Sequence, residues 1–239
     1  TSALPAQRRC ATSSWQRSPL ARPPRHKTLV VDAAAAPHRI VLATHNAHKV
    51  AEFHAIIGAE HPSLVVVGYD GPEPVEDGVT FAENALIKAR AAAAHTGLPA
   101  LADDSGICVD VLGGSPGVFS AYWAGQKKDA VANLELLLDQ LHDIRDPHRA
   151  SSFVSTIALV VPGAAGEPAV EYVVEGRWPG RLAHAPSGQS GFGYDPIFVP
   201  DGQEPGHEVP VAEWAPSRKN AESHRARAST ALMPRLSGR

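Results

Sequence analysis

The first residues that could do chemistry follow a short apolar run at 39–43 (RIVLA), which indicates a buried strand. The polar turn behind it, residues 44–49 (THNAHK), leads into a helical pattern, and a helix start presents free N–H groups that favour an anion. A helix terminus alone contributes only about 0.3–1 kcal/mol when exposed. Asn46 as a donor and Lys49 as a cation would therefore have to hold a phosphate with it. The alternative is an ordinary helix start capped by Asn46, and the P-loop glycine pattern is missing from this segment.

Two adjacent carboxylates, Asp103 and Asp104, form the second group, and Ser105 follows them. We expect residues 99–106 to form a strand that ends in this polar turn, and residues 107–114 to form another strand. If the strand continues through the acids, they point to opposite faces and do not share one task. Two nearby acids resist joint ionisation unless a cation lies between them, and Mg²⁺ prefers carboxylate oxygens. The alternative is a polar turn with local caps.

Aromatic rings surrounded by glycines mark the third group, at residues 188–198 (GQSGFGYDPIF). Phe192 and Tyr194 stand on a backbone that permits close approach, and rings presented in this way can stack a base. Asp195 precedes a proline and is expected to be extended, with its acceptors available. The alternative is an aromatic turn packed on the core.

Cations near a helix start form the fourth group, in residues 217–225 (SRKNAESHR). His224 and Arg225 are adjacent donors that could bind a carbonyl acceptor on a base, with Lys219 beside them. The alternative is a solvated helix face.

Alternating elements must position these groups. Apolar runs predict strands at residues 39–43, 64–68, 99–106, 107–114, 151–161 and 169–178, with the last two forming a hairpin. Helical patterns follow residue 49, run from a capping box at Thr80 and Glu83 to about His95, cover 133–141, and begin again near Asn220. Strands that alternate with helices, followed by a hairpin, indicate an α/β fold with a mixed sheet and two lobes.

Composition restricts the class of protein. A hydrophobic content of 44% fits a globular core, and a formal charge of −3 argues against a general nucleic-acid binder. No apolar run approaches the roughly 20 residues of a membrane helix. Cys10 and Cys108 show neither disulfide nor zinc spacing, which fits a reducing cytosol, and Cys108 is expected in the core.

Residues 1–38 differ from the rest, with six Arg or Lys and one acid, Asp32. We expect this segment to be a disordered leader or extension, because it lacks hydrophobic periodicity. A transit peptide is the less favoured alternative. Residues 39–239 are expected to form one two-lobed domain.

The order of these motifs resembles the inosine triphosphate pyrophosphatase family, also called XTP/dITP diphosphatases. The resemblance rests on the 44–49 turn, 80–89 (TFAENALIKA), 102–121 (ADDSGICVDVLGGSPGVFSA), 191–198 (GFGYDPIF) and 223–225 (SHR). It covers about residues 39–238. The resemblance implies an elongated mixed sheet with flanking helices around a cleft, and usually a homodimer.

It also implies a reaction and a site. Inosine, deoxyinosine or xanthosine triphosphate would be hydrolysed to the monophosphate and pyrophosphate with Mg²⁺, held by Glu76 and Asp104, and Asp104 would be the catalytic base. The residues implied to bind the purine nucleoside triphosphate are Thr44, His45, Asn46, Ala47, His48, Lys49, Ser105, Phe192, Gly193, Tyr194, Asp195, Lys219, His224 and Arg225. We expect a cytoplasmic enzyme without stable nucleic-acid or membrane partners.

The sequence departs from the family pattern in places. His45 stands where a glycine is common, and Tyr122 replaces an Arg often found after the SA dipeptide. Residues 213–225 approach Lys219, His224 and Arg225 with a looser match to the family pattern. Two other functions are compatible with the residues: a nucleotide-binding regulator without turnover, and a nucleotidyl or sugar-phosphate enzyme that uses the same triphosphate site.

Overall fold

A computed structural model of the chain describes residues 38–164 and 166–236. It contains six β-strands, and the first begins one residue before the expected start of the domain. The strands are β1 His38–Leu42, β2 Leu64–Gly68, β3 Ala100–Val109, β4 Ala150–Val161, β5 Val170–Leu182 and β6 Phe198–Pro200. Residues 1–37, which hold nearly all of the expected leader, lie outside the described residues.

Helices connect these strands and flank the sheet. They are α1 Ala47–Glu60, α2 Phe81–Thr96, α3 Ala130–Gln140, α4 Pro216–Glu222 and α5 His224–Leu236. Short 3₁₀ turns cover Asp110–Leu112, Gly117–Tyr122 and Val211–Glu213. The capping box of α2 is confirmed, because the Glu83 N–H donates to the Thr80 hydroxyl while the Glu83 carboxylate accepts from the Thr80 N–H.

The six strands form one mixed sheet in the order β2-β1-β3-β4-β5-β6. β1 pairs in parallel with β2 and β3, whereas β3, β4, β5 and β6 pair antiparallel in succession. This arrangement confirms the expected mixed α/β fold and the β4–β5 hairpin. β4 lies inside the sheet, and its residues 151–160 are buried, so helices and loops cover both of its faces.

The prediction of a polar turn at the paired carboxylates is wrong, because β3 runs unbroken through them. Each residue of β3 has a partner in β4, and Asp103 lies opposite Ile157 in the register. Pairing with β4 supplies the hydrogen bonds of the β3 backbone, and cations from other elements neutralise the two carboxylates, so no turn is needed. Residues 99–106 and 107–114 therefore do not form separate strands.

The prediction of one last helix starting near Asn220 is also wrong. α4 ends at Glu222, Ser223 is extended, and α5 begins at His224. The Ser223 hydroxyl accepts a hydrogen bond from the Ala226 N–H at 3.2 Å, which is the geometry of an N-cap. A serine cap thus starts a second helix and puts His224 and Arg225 in its first turn.

Three groups of buried side chains make the core, and Cys108 is buried as expected. The first surrounds Trp178, where α3 packs on the ends of β4 and β5. The second packs α1 and α5 around Phe53 and Leu232, and the third packs the alanine face of α2 against β1, β3 and β4. Because β3 and β4 contribute side chains to all three groups, the side chains in the middle of β3 lie where the groups meet.

Candidate active site

The turn between β1 and α1 places a cation beside β3. The Asn46 N–H donates to the Thr44 hydroxyl at 3.1 Å, and the Lys49 N–H donates to Asn46 Oδ1 at 3.3 Å, so Asn46 caps the helix. Lys49 extends from the first turn of α1, and its Nζ lies 3.0 Å from Asp103 Oδ2. Ala47 is exposed at the helix start, and the side chain of His48 lies outside the described part.

Asp103 is the centre of a buried network of hydrogen bonds and ion pairs, although the motif around it predicted no role for Asp103 in binding or catalysis. Its carboxylate accepts from Ser155 Oγ at 2.6 Å, from Lys49 at 3.0 Å and from Arg225 Nε at 3.1 Å. Burial raises the pKa of such a carboxyl, but the charges of Lys49 and Arg225 outweigh burial and hold the pKa of Asp103 well below its usual range. Ser105, two residues on and thus on the same face, also donates to it at 3.2 Å.

Asp104 lies on the opposite face of β3, as strand alternation requires. The Lys88 ammonium lies between two carboxylates, 2.7 Å from Asp104 Oδ1 and 2.8 Å from Glu76 Oε2. Burial raises the pKa of Asp104, Lys88 opposes that effect, and the neighbouring charges of Glu76 and Asp103 add to it, so the pKa is raised. Lys88 belongs to the quoted TFAENALIKA motif, but nothing in its local spacing indicated that it would pair with these acids.

A glycine-rich turn and α4 present an aromatic face. Phe192 is 61% exposed, and the Lys219 Nζ lies 4.6 Å from the centre of its ring. Asp195 is buried, accepts from the Phe192 N–H at 2.8 Å and pairs with Lys219. Gly191 has a φ of 80°, and a Cβ there would clash with the Asp195 carboxylate, so only glycine fits this approach. The turn therefore holds the Phe192 ring beside a fixed ion pair.

Tyr194, expected to contact substrate, is buried, and its hydroxyl donates to the Ser120 carbonyl at 2.8 Å. Its ring belongs to the core cluster around Trp178. Burial raises the pKa of this phenol above its ordinary value. Tyr194 therefore anchors the aromatic turn to the 3₁₀ segment, and its ring still reaches the cleft.

His224 and Arg225 start α5 and lie deep in the site. The His224 ring stacks on Phe153 with centroids 4.9 Å apart, and its buried Nδ1 has no hydrogen-bond partner among the described residues. Burial, and then the charge of Arg225, hold the pKa of His224 well below its usual range, so the ring is neutral at pH 7. Arg225 donates from Nε to Asp103 and from Nη2 to Ser105 Oγ at 2.9 Å, and Glu52 lies 3.7 Å from Nη1. His224 thus offers an unused polar atom, and Arg225 links the α5 start to β3.

The 44–49 turn, β3, the glycine-rich turn, α4 and the start of α5 all contribute to one cleft of 420 Å³, but Asp104 is not among the residues that line it. Of the predicted residues, those that line it are Asn46, Lys49, Ser105, Phe192, Gly193, Tyr194, Asp195, Lys219, His224 and Arg225. Thr44 and Glu76 line a smaller adjoining cavity of 140 Å³ together with Lys49, Lys88 and Asp103. Lys128, Asn133 and Phe153 also line the main cleft, and no motif indicated them.

His45 is directed away from this cleft. Its ring lies 3.0 Å from the Gly71 carbonyl and 3.1 Å from Glu73, and it stacks on Tyr69. The side chain thus ties the turn at residues 44–49 to the loop that precedes Glu76. Contact of His45 with substrate stays a prediction.

The residues around Asp104 fit a magnesium ion that is shared with substrate. Among the described residues, no group of three or more His, Cys, Asp or Glu is arranged around one point. Magnesium usually keeps several waters and uses one or two carboxylates together with substrate phosphates. Glu76 and Asp104 already gather around one positive charge, that of Lys88, which makes the pair a suitable donor set.

The fold and the cleft define a mixed α/β protein that suits a ligand with an anionic end and a flat apolar end. A family model described as the Ham1 family matches residues 40–235. A dITP/XTP pyrophosphatase of Leifsonia xyli subsp. xyli is 62% identical over 198 residues, which cover 83% of this chain and 95% of that protein. A protein of the same name from Streptomyces coelicolor is 50% identical over 200 residues and is covered to 96%, against 82% of this chain.

Two solved structures are also similar to this chain. A nucleoside-triphosphatase / dITP/XTP pyrophosphatase from Mycobacterium abscessus matches with a TM-score of 0.65 at 48% identity, covering 82% of this chain and 99% of that one. A HAM1 protein from Coxiella burnetii matches with a TM-score of 0.71 at 39% identity, with the same coverage of 82% and 99%.

The chain belongs to the Ham1 family. This assignment confirms the resemblance found in the motifs, and the names of the relatives confirm the expectation of an enzyme, a pyrophosphatase. No helix among the described residues is long and apolar enough to cross a membrane.

Proposed function

We propose that this enzyme hydrolyses inosine, deoxyinosine and xanthosine triphosphates to the monophosphate and pyrophosphate, with Mg²⁺ as cofactor. The observation that carries the proposal is one cleft lined both by cations and hydrogen-bond donors and by aromatic rings. We assign the phosphate end to Lys49, Asn46 and Ser105, which supply donors and positive charge, and the base end to Phe192 and His224, which supply an aromatic face. A nucleotide has a matching anionic end and a flat base.

Asp104 is suited to act as the general base that takes a proton from the attacking water. Its pKa is raised, chiefly by burial, which strengthens it as a base, while the adjacent Lys88 favours the ionised form. A positioned carboxylate typically contributes 10²–10⁴-fold to the rate. The network of Asp103 keeps Lys49 and Arg225 in place, so both cations are oriented before substrate arrives.

Glu76 and Asp104 would hold the magnesium ion, which supplies neutralisation of the phosphate charge when bound. Lys88 lies between the same two carboxylates, so its ammonium occupies the region that a cation shared with substrate would use. No covalent intermediate is needed: the hydroxyl of Ser105 donates to Asp103, and the low pKa of that carboxyl makes it a weak base for activating a nucleophile.

The base end is suited to select a purine that carries a carbonyl oxygen at position 6. Arg225 uses two of its N–H donors for Asp103 and Ser105, and arginine has five donors in all and can never accept. A donor that faces a carbonyl makes a hydrogen bond, whereas a donor that faces the amino group of adenosine stays unpaired. A site built in this way can reject the wrong analogue by as much as 10⁴–10⁵-fold.

One assay tests the proposal and its two rivals. Pyrophosphate release is measured with inosine triphosphate and with ATP, for the wild type and Arg225→Ala, with Mg²⁺ and after its removal. Hydrolysis of inosine triphosphate that needs Mg²⁺ is the expected result, with a kcat/KM that falls more for this substrate than for ATP in the variant. Binding without release would favour a regulator, and dependence on an acceptor would favour a transferase. An unchanged substrate ratio would remove Arg225 from base selection.

The remaining expectations stay predictions. A homodimer would be seen as twice the chain mass by light scattering of the purified protein. Tests of a cytoplasmic location and of the role of residues 1–38 require localisation of the protein in its own cell.

A further inference from the structure

Lys128 has an unusual backbone conformation. Among residues 38–164 and 166–236 it is the one non-glycine residue with positive φ, at 54°. This left-handed region is unfavourable for a side chain with a Cβ, and residues held there cluster at binding sites and active sites. The turn before α3 thus holds a lysine where glycine would be easier to accommodate.

The strained turn directs Lys128 to the cleft. Its side chain lines the cleft together with Lys49 and Ser105, and its Nζ lies 5.2 Å from the centre of the Tyr122 ring. A cation at this distance from an aromatic face is attracted by the ring quadrupole. Tyr122 ends the 3₁₀ segment Gly117–Tyr122, which packs on β3 and so ties the position of Lys128 to the sheet.

The carboxylates proposed to hold magnesium act on Tyr122. Burial raises the pKa of its phenol above the ordinary value, and the negative charges of Glu76 and Asp104 raise it further. The ring that supports Lys128 is therefore within electrostatic reach of these two carboxylates.

The charges of the site show what Lys128 adds. The other cations are all paired with carboxylates: Lys49 and Arg225 with Asp103, Lys88 with Glu76 and Asp104, Lys219 with Asp195, and Arg225 also with Glu52. Four cations thus face five carboxylates. Lys128 has no carboxylate within 4.0 Å among the described residues, so it is the cation that remains available for an added anion.

We propose that Lys128 is a substrate-binding residue that contacts the phosphate chain of the nucleotide, and that Tyr122 is its positioning residue. This inference rests on the proposed function, since it assigns the contact to the triphosphate. The ammonium leaves the Tyr122 ring for the phosphates when the nucleotide binds.

A matched pair of lysines tests the contact. Lys128→Ala and Lys127→Ala remove the same atoms and the same charge from adjacent exposed residues, but only Lys128 lines the cleft. Alanine keeps the Cβ of Lys128, so the backbone strain and the fold should not change. We expect Lys128→Ala to raise KM for inosine triphosphate by about tenfold or more, the factor that corresponds to 1.4 kcal/mol, with kcat less affected and with Lys127→Ala near the wild type.

Two Tyr122 variants test the positioning role. Tyr122→Phe keeps the ring face and should stay closer to the wild type in KM than Tyr122→Leu, which removes it. A calorimetric titration with inorganic pyrophosphate gives a readout that needs no turnover, and Lys128→Ala should bind this anion about tenfold more weakly than Lys127→Ala.

The outcomes separate this inference from the proposed function. An active wild type with an unchanged KM and pyrophosphate affinity in Lys128→Ala would overturn the inference alone. Equal losses of affinity in the two lysine variants would also overturn it, since they would indicate a general electrostatic attraction and no specific contact. A wild type that releases no pyrophosphate would refute the proposed function, and the pyrophosphate titration would still decide for or against Lys128.

Discussion

Asp103 and Asp104 are neighbours in sequence, and the structure predicts opposite consequences for the same substitution. In Asp103→Asn, the charge that pairs with Lys49 and Arg225 is lost from a side chain that is 1% exposed. Removing one partner of a buried ion pair typically costs about 3–5 kcal/mol, because the remaining charge stays buried. Since 1 kcal/mol shifts the melting temperature of a protein of this size by roughly 2–4 °C, we expect a fall of about 6 °C or more.

Asp104→Asn should behave differently. The pKa of Asp104 is raised, which means that the folded protein disfavours its ionised form, so a neutral amide removes little stability. Lys88 keeps Glu76 as a partner at 2.8 Å. Turnover, however, should fall by at least about 10²-fold, because the general base and a magnesium ligand are lost together.

Thermal unfolding and pyrophosphate release, measured on both variants and on the wild type, check this pair of expectations. The variants are matched in residue type, size change and strand, and differ only in the face of β3 that carries the side chain. If Asp104→Asn melted at a lower temperature than Asp103→Asn, or retained more than a tenth of the wild-type kcat, the division of roles between the two faces would be refuted.

Three further predictions follow from the core and the termini. Deleting residues 1–37 should leave the melting temperature and kcat within error, because the first strand begins at His38; a fall of about 4 °C or more would show that this segment packs on the domain. His224 is neutral when folded but takes up a proton near pH 6.5 when unfolded, so its contribution to stability is fully present above that pH and is lost by about 1.4 kcal/mol per unit below it. Chemical unfolding from pH 7 to 5 should show this extra loss in the wild type relative to His224→Phe, and parallel curves would contradict it. Gly176→Ala would place a Cβ in steric conflict with the backbone of Ala228 and His224 and should lower both stability and kcat/KM, whereas Gly58→Ala in α1 meets nothing within 4 Å and should lower neither.

The sequence alone predicted the elements whose signals are local. The strand at 64–68 and the capping box at Thr80 both depend on residues a few positions apart, and the structure has them as expected. The order of motifs was enough to recognise the family.

Local sequence patterns gave wrong predictions where contacts between residues distant in sequence determine the structure. The polar residues of 103–105 suggested a turn, but β4 pairs with them and makes them part of a ten-residue strand. A serine at position 223 could have indicated a new helix start, since serine is a common N-cap.

Strand alternation indicated from the sequence that Asp103 and Asp104 would not share one task if the strand continued through them, but it could not tell which acid would meet which cations. Asp103 pairs with Arg225 across 122 residues and with Lys49 across 54, while Asp104 meets Lys88 from a different helix. Which charges meet depends on how α1, α2 and α5 pack around β3. Sequence periodicity determines the face on which a side chain lies, and only the tertiary packing determines what it faces, because the energy of a buried charge depends on partners that chain order does not encode.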